Sequence, residues 1–139
     1  MSAMEMSRSE FEAVVAEAMD RIPLPFAQAL ENLVVQVHEA PTREMIESVG
    51  LDPARHTLFG LYTGVALSRR GEGYGNVLPD MVLIFRRPLL AACGTRSALL
   101  RQIRLTLLHE IGHHLGLDDA QMADWERTFH DLEDPGGTA

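Results

Sequence analysis

The sequence holds a single cysteine, Cys93, in 139 residues. No internal disulfide can form, and any metal site has to be built from histidine and carboxylates. No apolar run approaches the ~18 residues a membrane span requires. The N-terminal MSAMEMSRSEFEAVV lacks a basic cap followed by an apolar block, so no signal peptide is expected. Positive charge is also scarce: 12 Lys+Arg stand against 20 Asp+Glu, for a formal net charge of -8. Neutralising nucleic-acid phosphates takes a basic stripe. The basic clusters, Arg69-Arg70 and Arg86-Arg87, are short and read as solvated loop charges. These absences argue against a membrane or nucleic-acid partner and favour a cytoplasmic location.

What is present is ordinary for a globular fold, with 46% hydrophobic and 23% charged residues. The length suits one domain over 1–139, with 1–8 and 134–139 expected to fray. Ser9 followed by Glu12 reads as a capping box, and Phe11, Val14, Val15 and Met19 fall at helical spacing behind it. The Ile22-Pro-Leu-Pro-Phe26 run stops that helix, and a short second one is expected from Pro25 to about Asn32. Leu33 to Val37 is β-branched and reads as a strand. Arg43 to Val49 reads as a helical turn closed by Gly50. Thr57 to Leu67 reads as a strand weakened or bulged at Gly60 and Gly64. Ser68 to Asn76 is glycine-rich, but it lacks the Lys-Ser/Thr and the following helix of a phosphate loop, so it reads as a connector. Met81 to Phe85 is a buried strand, and Pro88 opens a short helical turn. A long helix, about 97–115, is capped by Thr95 or Ser97, and an amphipathic helix follows from Asp119 to about Leu132. Interspersed strands and helices without a βαβ rhythm predict an α+β fold, a small mixed sheet packed with helices.

The chemistry concentrates in Leu108-His109-Glu110-Ile111-Gly112-His113-His114-Leu115-Gly116-Leu117-Asp118-Asp119. Residues four apart on a helix stand almost one above the other, so His109 and His113 share a face and can converge on one ion. Zinc accepts neutral imidazole at about 2.0–2.1 Å, and a catalytic site adds a third protein ligand and a water. Glu110 lies beside His109, where its carboxylate can act on that water as general base. Leu100, Ile103, Leu107, Ile111 and Leu115 form a core stripe on roughly the opposite face. Gln102 and Thr106 lie on the histidine side as a polar lining. His114 falls near the core stripe and reads as a packed histidine bonded to a backbone or side-chain partner. Gly116 suits a left-handed helix terminus, and the reversal it allows can return Asp119 to the metal as third ligand. Asp118 or Asp119 can instead cap the last helix, and Glu126 and Glu133 are the fallback carboxylates.

At these residues the chain resembles the small bacterial zincin-like, or minimal zincin, metallopeptidase family, through its HExxHxxGxxD pattern. The resemblance extends to Ala29–Val37, Gly60–Leu67 and Leu78–Arg86 and spans roughly Glu10 to Trp125. Met81 and His38 depart from it, standing where basic and acidic residues are more usual. It implies a compact zincin-like domain, with His109 and His113 as ligands of one Zn2+ per chain and Glu110 as base. Asp119 fits the final ligand position by spacing. The implied activity is a zinc-dependent peptidase acting on a peptide or protein substrate. Two other functions share the residues: a non-catalytic zinc-stabilised interaction module, and a regulatory peptidase specific for one cytosolic partner. Tyr62 and Tyr74 are candidates for oxyanion stabilisation, and Tyr62 reads first as core packing.

Overall fold

The computed structural model describes residues 4–22, 26–64, 80–118, 120–124 and 126–127. Helix α1 spans Arg8–Asp20. Its cap is Ser7, whose side chain accepts the Glu10 N–H while the Glu10 carboxylate accepts the Ser7 N–H at 2.9 Å. The box therefore closes two residues earlier than the expected Ser9–Glu12; Ser7 and Ser9 each have a glutamate three positions on, and the earlier pair gives the longer helix. Upstream of the cap, the Met4 N–H donates to Leu90 O at 3.1 Å. A 3-10 helix, Phe26–Asn32, stands where a short helix is expected. It leads into β1, Leu33–His38. Helix α2 is Arg43–Ser48, capped by Thr42.

Strand β2 is Gly60–Thr63, shorter than the sequence suggests. Residues 57–59 stay outside the strand, although Phe59 O still accepts the Phe85 N–H at 2.9 Å; residues 65–67 and the 68–76 connector lie outside the described residues. Strand β3, Asp80–Phe85, is central in a three-stranded mixed sheet of order β1-β3-β2. It runs parallel to β1, with Val35 opposite Val82, and antiparallel to β2, with Leu61 opposite Leu83. The unbroken apolar run of β3 follows from burial on both faces: Val82, Leu83, Ile84 and Phe85 are all buried. Helix α3, Arg86–Ala92, leaves β3 directly.

Helix α4, Arg96–Leu115, carries the HExxH residues. Thr95 caps it by accepting the Ala98 N–H at 3.1 Å. At its other end Gly116 takes φ 79°, the left-handed conformation that glycine adopts without a Cβ penalty. Gly116 N–H bonds to His113 O and Leu117 N–H to Gly112 O, which satisfies the last carbonyls in a Schellman arrangement. α4 packs on α1, β2, α3 and β3. Leu99, Ile103, Leu107 and Ile111 are fully buried together with Phe11, Val14 and Ala18 of α1 and Val82 and Ile84 of β3. Each of the larger side chains, Val, Leu, Ile or Phe, stabilises the fold by about 1.5–3 kcal/mol. The chain reverses after Gly116 and is helical again at 120–124 and 126–127. This is the α+β architecture expected from sequence. Among the described residues no helix is long and apolar enough to cross a membrane.

Candidate metal centre

The site forms where α4 crosses β2. Gly60 makes the approach possible, because a Cβ there would stand 2.6 Å from Thr106 Cγ2 and 3.5 Å from Glu110 Cγ. The glycine expected to weaken the strand is thus a place where the helix packs directly against it. Glu110 is buried against this contact, and its Oε1 accepts the Tyr62 N–H at 2.8 Å. The same oxygen lies 3.1 Å from His113 Nδ1. A strand backbone and a ring one turn away therefore fix the carboxylate.

His109 and His113 stand side by side, with ring centroids 4.7 Å apart and an interplanar angle of 72°. Both side chains are 45% exposed, so they face solvent from the rim of the helix. One ligand atom from each of His109, Glu110 and His113 can be chosen so that all three lie within 4.8 Å of one another. This is a donor set that could hold a metal ion, and the one such group among the described residues.

The cleft they border has a volume of about 540 Å³. Gln102 and Thr106 line it as the helical wheel suggests, and the connector from α2 to β2 closes the opposite side. Glu126 reaches the cleft from the last helical stretch and sets Oε1 3.0 Å from His109 Nδ1. Met122 brings that stretch down: it is buried directly over Gly112, where a Cβ would collide with its sulfur.

Two other expectations receive definite places. Asp118 caps the last helical stretch, accepting the Gln121 N–H at 2.8 Å while Gln121 Oε1 accepts its N–H at 2.8 Å. Its carboxylate is therefore engaged in capping. Asp119, expected as third ligand, and the alternative Glu133 lie outside the described residues, as does Tyr74. His114 turns inward, away from the other two histidines. Its Nδ1 lies 2.8 Å from Asp80 Oδ2, both side chains are 1% exposed, and the Tyr62 ring meets it edge-on at 5.7 Å between centroids. The packed reading of His114 agrees with this, and Asp80 is the partner that sequence did not identify. An aspartate at the head of an apolar strand was the available signal. Tyr62 contributes to the site through its backbone N–H.

Fold and site together define an α+β domain with a helix-borne His-Glu-His cluster open to a cleft beside a short strand. A family model described as zincin-like metallopeptidase matches residues 30–128. The chain belongs to that family. No curated protein matches it.

Proposed function

We propose that the protein is a zinc-dependent peptidase in which His109 and His113 hold one zinc ion per chain and Glu110 is the general base. The observation that carries this reading is the convergence of two solvent-facing imidazoles and a fixed carboxylate from one helical turn on an open cleft. Two imidazoles with an oxygen ligand suit zinc, and a site with three protein ligands keeps a position for reaction. Bound there, zinc would supply Lewis acidity, polarising a peptide carbonyl and making hydroxide available near neutral pH.

The chain's own residues do the rest. Glu110 is anchored through Oε1 by Tyr62 and His113, which leaves Oε2 to take the proton of the attacking water and pass it to the leaving amine. Glu126 holds His109 through Nδ1, so that Nε2 would be the atom offered to the metal; a carboxylate on the second ring nitrogen fixes the tautomer and raises ligand basicity. Asp119 is the proposed third ligand, because its neighbour Asp118 is occupied by capping and the chain has just reversed at Gly116. An extended peptide would lie along the outer edge of β2, where backbone pairing gives register. β2 is an outer strand of the described sheet, and its Tyr62 N–H bonds to the catalytic carboxylate.

The test is Glu110→Gln. The variant should bind zinc as the parent does while peptide hydrolysis falls by about 10²–10⁴-fold, the usual contribution of a general base. Undiminished hydrolysis would remove Glu110 from the mechanism.

A further inference from the structure

We propose that His114, oriented by Asp80, is a positioning residue for Glu110: by seating the Tyr62 ring, it keeps the Tyr62 N–H on Oε1 of the carboxylate. The inference rests on the reading of Glu110 as general base and concerns the buried groups behind it. Glu110 and His114 are four positions apart on α4, so they stand on one face in successive turns. Both are buried, and both meet Tyr62. Glu110 Oε1 accepts the Tyr62 N–H at 2.8 Å. The His114 imidazole meets the Tyr62 ring edge-on, with centroids 5.7 Å apart and an interplanar angle of 68°. One residue of β2 is thus gripped at its backbone and at its ring by consecutive turns of the catalytic helix.

The sheet does not hold that N–H. Phe59 O accepts the Phe85 N–H from β3, and bonding alternates along an antiparallel strand, so the Tyr62 N–H points away from β3. β2 is also a four-residue outer strand of the described sheet. The place of the Tyr62 amide therefore depends on its ring, and the ring rests on His114. Asp80 fixes that imidazole: its Oδ2 lies 2.8 Å from His114 Nδ1, with both side chains 1% exposed. Asp80 also packs against the end of β2. Thr63 pairs with Met81, which sets Asp80 beside Gly64, where a Cβ would collide with Asp80 Oδ1. The carboxylate is wedged between α4 and β2, so a turn of the imidazole would disturb the segment that carries Tyr62. Edge-to-face ring pairs depend on orientation, and a displacement of about 1 Å at a reacting group can cost about 100-fold in rate.

Solution NMR of the metal-free full chain reads the Tyr62 amide directly. Glu110→Gln should shift its proton upfield, since a neutral acceptor replaces a charged one. Asp80→Ala combined with His114→Phe keeps a ring and leaves neither polar partner behind. It should give the same upfield shift and speed exchange of that amide about 10-fold or more, the loss of a hydrogen bond to a charged group. The Val82 and Ile84 amides of β3 should keep the parent's protection, because a role confined to stability would not move the Tyr62 amide alone. Asp80→Asn, which retains an acceptor for His114, should leave both readouts near the parent's. An unmoved Tyr62 amide in the double variant would overturn the positioning role and leave the peptidase reading standing, as would an equal loss of protection at Val82 and Ile84. Undiminished peptide hydrolysis by zinc-loaded Glu110→Gln would overturn both.

Discussion

Replacing Asp80 tests how the catalytic helix is tied to the sheet. Asp80 opens β3 and His114 lies near the end of α4, and their side chains meet at 2.8 Å with 1% of each exposed. Removing one partner of a buried pair costs about 3–5 kcal/mol, since the remaining polar group stays desolvated. Asp80→Ala should therefore remove about a fifth or more of a total stability that is about 5–15 kcal/mol for a domain of this kind. Asp80→Asn keeps the shape and an acceptor oxygen but loses the charge, and should cost about 1 kcal/mol, the difference between charged and neutral hydrogen-bond partners. The apolar double replacement Asp80→Leu with His114→Phe should be less damaging than Asp80→Ala alone, because it leaves no polar group behind. Urea unfolding followed by circular dichroism, with a chelator present to keep metal binding out of the equilibrium, gives the three values. An Asp80→Ala midpoint within about 1 kcal/mol of the parent would refute this reasoning. So would a double variant no more stable than Asp80→Ala.

Two other outcomes follow from contacts at the surface and at the rim of the cleft. Glu126→Ala should weaken zinc binding by about 10–100-fold, the usual effect of losing a carboxylate behind a ligating histidine, whereas His109→Ala should abolish it; competition with a chromophoric chelator distinguishes the two. Glu10 and Glu17 both titrate below their ordinary value of 4.5, Glu10 because of the Ser7 backbone N–H and hydroxyl, Glu17 because of Arg96. A lowered folded pKa means stability that is present above 4.5 and lost as the pH falls through the folded value. Glu10→Gln and Glu17→Gln should each flatten the fall in urea midpoint below that pH, without changing its shape near neutrality.

The ends of α4 were legible because each depends on one local device: a Thr95 side chain for the first N–H groups and a left-handed Gly116 for the last carbonyls. The shared face of His109 and His113 follows from helix geometry, and so does the inward direction of His114. The surroundings of these residues were not legible, because they come from segments distant in sequence. Glu110 is 48 positions from the Tyr62 N–H that fixes it. Asp80 reaches His114 only once β3 lies under the helix end. Residues 49–61 supply much of the apolar lining of the cleft, and they meet α4 only in the packed structure. Gly60 read as a weak point in a strand, yet its role is to admit α4, something only the packed structure reveals. The choice between Ser7 and Ser9 as cap turned on helix length, which a local pattern repeated at two registers could not decide.

Zinc K-edge absorption spectroscopy on the chain loaded with one equivalent of zinc tests the metal centre most directly. Two imidazole nitrogens at about 2.0–2.1 Å, with oxygen completing the shell and no sulfur, is the expected spectrum. The imidazole signal should drop to one in His113→Ala and stay at two in Glu110→Gln. A first shell without histidine, or one unchanged by His113→Ala, would contradict a zinc site on α4.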